Sequence, residues 1–264
     1  MRAVSASTSK VMDKYFIPEM EGILEDEKKI THEKLAEKTE TCIYDENLRQ
    51  KLISSDMSGD LLDWAYTPII QSGGEYDLKP SAVSNDKQLH RGAIICSLGL
   101  RYRNYCANIG RTFLIDPSKK QEENYNFLLE LQSYVVSQMN DGILISDLYA
   151  KAREYISEKR PDLENHFVKN IGFVTGIEFR ESSFVIGPKT QRPLKTGMTV
   201  NLVLGFQSLE DKNIKDKIKT YALLIADIVA VGPVGEPAAF LTTTGRKFTE
   251  ISYSFDVCEH ALVK

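Results

Sequence analysis

Apolar residues recur at threes and fours over residues 9–38, where Met12, Phe16, Met20, Ile23, Leu24, Ile30 and Leu35 would share one helical face. Pro18 interrupts this stretch. It has no amide hydrogen and its ring crowds the preceding turn, so it should kink the helix or mark its true first turn. Asp45 or Glu46 opens a short second helix through Ile53, and Gly59 ends the loop that follows. Residues 61–71, which hold the single Trp64, read as a strand entering a turn at Gly73 and Gly74.

Residues 92–116 carry a strict alternation. Ile94, Cys96, Leu98 and Leu100 fall on one face of a strand, and Ile95, Ser97 and Gly99 on the other. Residues 101–104 can make the reversal of a hairpin, and residues 105–115 return as a strand rich in β-branched and aromatic side chains. Asp116 and Pro117 stop it. Ser118 with Gln121 fits a capping box opening a helix that carries Tyr125, Leu128, Leu129, Leu131, Val135 and Met139 as far as Gly142. A further helix spans 146–159 with Leu148, Ala152, Tyr155 and Ile156 inward, and Pro161 closes it. From Phe173 the chain is β-rich, in FVIG, MTVNLVLGFQ, KTYALLIADIVAVG and FLT, with SLEDKNIKDKIK as a charged loop or hairpin tip. Helices and antiparallel hairpins in this order indicate the α+β class rather than a doubly wound sheet. A single domain over 1–264 is expected, with 1–10 and 245–264 as flexible ends.

Composition narrows the function classes. A net charge of −4 argues against a dedicated nucleic-acid surface, and specific DNA binding is not expected. It is compatible with a basic partner; the acidic run Glu19, Glu21, Glu25, Asp26 and Glu27 is either a solvated face or such a surface. Cys42, Cys96, Cys106 and Cys258 show no C-x-x-C spacing, which favours buried free thiols in a reducing compartment. The first residues show no secretory signal pattern, and no apolar run is long enough for a membrane helix, so no membrane contact is expected. P-loop, Rossmann, H-E-x-x-H and G-x-S-x-G motifs are absent. The histidines His32, His90, His166 and His260 are scattered and read as core or surface residues rather than ligands. Arg180 and Glu181 stand out as a charged cluster beside apolar residues, either a structural ion pair or part of a site.

Four separated segments, RNYCANIGRTFLIDP, NIGFVTGIEFRESSFVI, LKTGMTVNLVLGF and YALLIADIVAV, together resemble the pita-bread peptidases: methionine aminopeptidase, aminopeptidase P, prolidase and creatinase. The resemblance implies a curved antiparallel sheet flanked by helices. It also implies a site where two divalent ions are held by two Asp, one His and two Glu, and activate a water. Carried over by motif, those five positions fall on Ser97, Asn108, Phe173, Val203 and Ala226, and a second family His falls on Arg180 before Glu181. Phe173, Val203 and Ala226 offer no donor atoms, and Ser97 and Asn108 carry no negative charge. No metal, no cofactor and no peptidase activity are therefore expected.

A tighter resemblance runs through EKKITHEKLAE, IIQSGGEYDLKPSAVS, RYRNYCANIGRTFLIDP with QEENYNFLLELQ, and GIEFRESS. These segments are similar to the amino-terminal, peptidase-like domain of the large subunit of the FACT histone chaperone family. The resemblance implies a nuclear, chromosome-associated, non-catalytic module acting on nucleosomes in transcription, replication and repair. Its implied partners are core histones, the smaller HMG-type subunit reached through the full-length protein, and replication and transcription factors. The smaller creatinase-like lobe of that family has no counterpart here, so a fragment is expected. Glu178, Arg180, Glu181, Glu25 and Glu27 are the candidates for histone or peptide contact. The alternatives are a prolidase-like hydrolase with relocated ligands and a peptide-binding scaffold for non-histone factors.

Overall fold

The structure is a computed structural model that describes residues 1–54 and 57–255. Its N-terminal segment is helical almost from the first residue: α1 (Arg2–Val11), a π-turn over Met12–Phe16, and α2 (Ile17–Glu25) run on with helical backbone angles at both junctions. The expected disturbance at Pro18 takes the form of that π-turn. A proline cannot donate to the carbonyl four residues back and its ring would strike it, and a widened turn relieves both. The helix ends at Asp26, so the periodic stretch read as one element is two. Thr31 caps α3 (His32–Thr41) through its side chain, and Asp45 caps α4 (Glu46–Leu52). The loose end suggested for residues 1–10 is a packed helix with Val4, Ser5, Ser7, Thr8 and Ser9 buried.

β1 (Leu62–Ser72), β2 (Ala93–Tyr102) and β3 (Tyr105–Ile115) form an antiparallel meander. The β2–β3 reversal takes two residues, Arg103 and Asn104, both at positive φ as a tight primed hairpin turn requires. α5 (Lys119–Gln138) begins with the full Ser118–Gln121 capping box, and α6 (Ile145–Lys159) follows. The second half of the sheet is β4 (Gly172–Thr175), β5 (Thr199–Glu210) and β6 (Thr220–Ala230), extended by β7 (Ala239–Phe240) on β6 and β8 (Ser252–Tyr253) on β3. The order β1-β2-β3-β6-β5-β4 sets the two halves side by side. They join at one backbone-paired position, Gly110 opposite Ala226. Thr112 completes the join, its hydroxyl donating to the Leu224 carbonyl at 3.0 Å and accepting the Leu224 amide at 2.7 Å.

The alternation in β2 sorts two cores. Ile94, Cys96, Leu98 and Leu100 enter the large core under the helices, with Phe16, Phe113, Leu128 and Leu148. Burying each such side chain is worth about 1.5–3 kcal/mol. Ile95 instead joins Leu78, Ala222, Leu224 and Ala226 in a small cluster on the opposite face. The α+β class and the helix-flanked antiparallel sheet are thus as expected. Segment FVIG is not a strand: Val185 makes one isolated bridge to Phe173, and the ladder runs through GFVT instead. The buried, unpaired thiols of Cys42, Cys96 and Cys106 agree with the reading of the cysteines. Cys258, His260 and the end of the predicted flexible tail lie outside the described residues. Among the described residues, no helix is long and apolar enough to cross a membrane.

Candidate functional site

The sheet register assembles the positions singled out in the sequence. Ile69, Ser97, Gly110, Ala226 and Val203 pair in succession across β1, β2, β3, β6 and β5, forming one row over five strands. Two residues along, Gly99 faces Asn108 in the β2–β3 ladder, and Asn201 faces Phe173 in the β4–β5 ladder. Ser97, Asn108, Val203 and Ala226 line a single shallow cavity on the face away from the helices, and Phe173 adjoins it on β4.

The space left is about 40 Å³, room for a few waters. Side chains fill the rest. The Tyr66 hydroxyl donates to Asn108 Oδ1, and Asn108 Nδ2 donates to Asn201 Oδ1 at 3.1 Å, which bridges the join between the sheet halves. Burial holds the Tyr66 phenol well above its ordinary range, so it stays a neutral donor. Phe179 packs over this group, its ring centroid 5.0 Å from that of Tyr66 and 5.5 Å from that of Phe173. Leu78, buried against the small cluster, and a paired contact of Gln71 with the Asp77 backbone (2.8 and 2.6 Å) press the 73–92 loop onto the rim.

Behind the row, on the helix side, Arg111 and Asp227 follow Gly110 and Ala226. They form a fully buried ion pair at 2.7 Å. Arg111 also donates to the carbonyls of Thr244 (2.6 Å), Gly110 (2.7 Å) and Ala226 (2.8 Å). Asp227 also accepts from Gln132 (2.8 Å) and Thr242 (2.6 Å), so the pair is well satisfied.

The donor set does not fit a divalent ion. Three of the five positions have no ligating atom and the other two are neutral, whereas these ions need carboxylate, imidazole or thiolate donors. Among the described residues, no three His, Cys, Asp or Glu come together to replace them. No metal-assisted hydrolysis can be built from these residues.

The predicted contact residues divide into separate groups. Glu25 and Glu27 are exposed near the C-terminal end of α2, and Glu27 borders a hollow with Leu89 and Arg91. Glu178, Arg180 and Glu181 lie on the loop after β4. Arg180 and Glu181 form no ion pair with each other within 4 Å: Arg180 lies over the Phe173 ring at 5.6 Å, while Glu181 accepts from the Ser183 hydroxyl (2.7 Å) and amide (3.1 Å). Those two hydrogen bonds hold the Glu181 carboxyl below its usual range. Tyr66, Phe179 and Asn201 were not singled out in the sequence. The i, i+2 step from Asn201 to Val203 could have flagged Asn201, but nothing local announces that Tyr66 and Phe179 close the site.

A pita-bread sheet with its metal positions filled by neutral and apolar side chains defines a peptidase-like protein without the peptidase's donors. The sequence matches metallopeptidase family M24 over residues 1–233, and the chain belongs to that family. A FACT complex subunit, spt16 of Emericella nidulans, is 41% identical over 258 residues, covering 97% of this chain and 25% of that protein. The FACT complex subunit SPT16 of Mycosarcoma maydis is 44% identical over 262 residues, covering 96% and 25%. The chain therefore spans about a quarter of the length of these curated relatives. Among solved structures, the N-terminal domain of FACT complex subunit SPT16 from Eremothecium gossypii superposes with a TM-score of 0.89 at 37% identity, over 96% of this chain and 59% of that one. The prolidase from Pyrococcus furiosus superposes at 0.68 with 25% identity, over 91% and 63%. The fold is thus shared with working peptidases, while the curated relatives named here are FACT subunits.

Proposed function

We propose that this chain is a non-catalytic histone-binding module of a FACT-type histone chaperone, acting in the nucleus on nucleosome disassembly and reassembly. One observation carries the reading: Ser97, Asn108, Phe173, Val203 and Ala226, the positions that the family resemblance assigns to two metal ions, offer no charged donor and are closed over by Tyr66 and Phe179, in a chain similar to FACT subunits over nearly its whole length. Core histones are the basic partner that a chain of net charge −4 suits. Glu25 with Glu27, and Glu178 with Glu181, supply two separate proposed surfaces; Arg180, of the same candidate set, has the sign of the histone. The smaller HMG-type subunit and replication and transcription factors would be reached through the rest of a full-length subunit.

Titrating the protein into each of the two labelled core-histone pairs at increasing salt tests this. Binding to either pair that weakens with salt and falls on Glu25→Lys/Glu27→Lys or on Glu178→Lys/Glu181→Lys supports the reading. No binding to either pair at low salt overturns it. Hydrolysis of proline-containing peptides by the metal-loaded protein would replace it with an enzyme.

A further inference from the structure

Beside the filled site, the same side of the sheet opens into a cleft of about 690 Å³, within the size range of ligand-binding clefts. Its charged lining has one sign: Lys79, Lys169 and Arg180, with no Asp or Glu. On a chain of net charge −4, such a concentration of cations needs a reason. Among the described residues, Lys79, Lys169 and Arg180 are not within ion-pair distance of any carboxylate. The Arg180 guanidinium carbon stands 5.6 Å from the Phe173 ring centroid, within cation–π reach. His166 donates from Nδ1 to the Gln207 carbonyl at 2.9 Å, which fixes the tautomer and leaves Nε2 available.

The walls are fixed. Leu78 and the Gln71–Asp77 pairing anchor the loop that carries Lys79, and the Val168 amide donates to the Gly205 carbonyl at 3.2 Å beside Lys169. Between Phe206 and Leu209 the β5–β6 ladder bulges, with Ser208 at φ +58°, and both Gln207 and Ser208 border the cleft. Cations set on anchored backbone, rather than on a mobile loop, lose less freedom on binding.

We propose that this cleft binds an acidic peptide segment rich in Asp and Glu, its carboxylates taken by Lys79, Lys169 and Arg180 and its aliphatic stems laid on Leu78, Pro80 and Phe167. A peptide fits better than a nucleic acid because the positive field is short. Asp77 borders the neighbouring cavity, and in the hollow beyond His166 the two carboxylates of Asp162 and Glu210 outnumber the one ammonium of Lys120. A strand with a phosphate at every nucleotide would carry charge over those carboxylates, whereas a peptide can place neutral residues there. The proposal is independent of histone binding and makes the opposite demand on charge, so each can fail without the other.

Fluorescence anisotropy with this chain tests it, using a labelled glutamate-rich peptide, its glutamine counterpart and oligothymidylate. The glutamate peptide should bind saturably and weaken with salt, with the glutamine peptide at least about tenfold weaker. Lys79→Glu/Lys169→Glu should lower affinity by about tenfold or more, while Lys212→Glu/Lys215→Glu, at exposed positions of the 211–219 loop, should change it by less than about twofold. All four lysines are exposed, so folding should survive. In the unmodified protein, the glutamate peptide should also shield Lys79 and Lys169, but not Lys212, from acetylation. No binding at low salt, equal binding of the glutamine peptide, tighter binding of oligothymidylate, or equal loss from both lysine pairs overturns the proposal.

Discussion

The Arg111 guanidinium and the Asp227 carboxylate meet at 2.7 Å with neither side chain exposed, each one residue beyond Gly110 and Ala226, the backbone-paired position of β3 and β6. The ion pair therefore staples the two halves of the sheet directly behind the candidate site. Asp227→Ala would leave a buried cation without its counter-charge and should cost about 3–5 kcal/mol in urea unfolding. Replacing both partners, as Arg111→Met/Asp227→Leu, should cost less than the sum of the single changes, because neither charge is then stranded. Additive losses would show that the pair does not act as a unit.

Gly110 supplies the space that lets the halves close. A Cβ there would stand 2.6 Å from Leu224 Cδ2 and 2.9 Å from both Ala226 Cβ and Ser97 Oγ. The leucine end can swing aside, but the alanine carbon is fixed to its strand. Gly110→Ala should therefore destabilise the protein by about 1–3 kcal/mol, read as a lower urea midpoint. An unchanged midpoint would mean that the join is looser than its register indicates.

Divalent metals should not stabilise the protein. An ion bound only by the folded state raises the melting temperature, and the rise grows with the logarithm of its concentration above Kd; Ser97, Asn108, Phe173, Val203 and Ala226 give it no charged ligand set. Thermal unfolding in Mn²⁺, Co²⁺, Zn²⁺ or EDTA should give the same midpoint. A concentration-dependent rise that disappears on Asn108→Ala would contradict the account of the site.

Much of the frame was legible because its signals are local. The alternation of Ile94 to Leu100 placed two faces of β2 correctly, and the Ser118–Gln121 box opened α5 where a hydroxyl and an amide three residues apart must. The break after Glu25 was hidden because Ile30 and Leu35 keep the helical spacing across it, although Thr31 is a good cap. FVIG has a strand's composition, but its neighbours turn away from the ladder and leave one bridge. At the site, the motif order named five positions, of which four line one cavity and Phe173 adjoins it. Their closure by Tyr66 and Phe179 is a contact between residues more than a hundred apart in sequence, which no local pattern encodes.

Acid should loosen the loop that walls both the filled site and the cationic cleft, through His32. This ring is 1% exposed; Nδ1 donates to Asn85 Oδ1 at 2.6 Å, and Nε2 accepts the Ser72 hydroxyl at 2.7 Å. The Ser72 oxygen also accepts the His90 amide at 2.8 Å, so its single proton is committed to the ring. Burial lowers the His32 pKa, the Asn85 contact opposes this in part, and the Lys87 charge adds to the lowering. The unfolded ring takes up a proton near its ordinary value of about 6.5, while the folded one resists. The stabilisation is therefore complete above that value and is lost as pH falls through it toward the folded pKa. His32→Asn should cost more stability near neutrality than in mild acid, as measured by urea unfolding across pH. Protection factors at the Leu89 amide, which donates to the Ile30 carbonyl at 2.8 Å, and at the His32 amide, which donates to the Lys87 carbonyl at 2.9 Å, should fall in acid in the unmodified protein. A mutational cost that stays constant with pH, or grows toward acid, would show that His32 is not the group that ties this loop to the sheet.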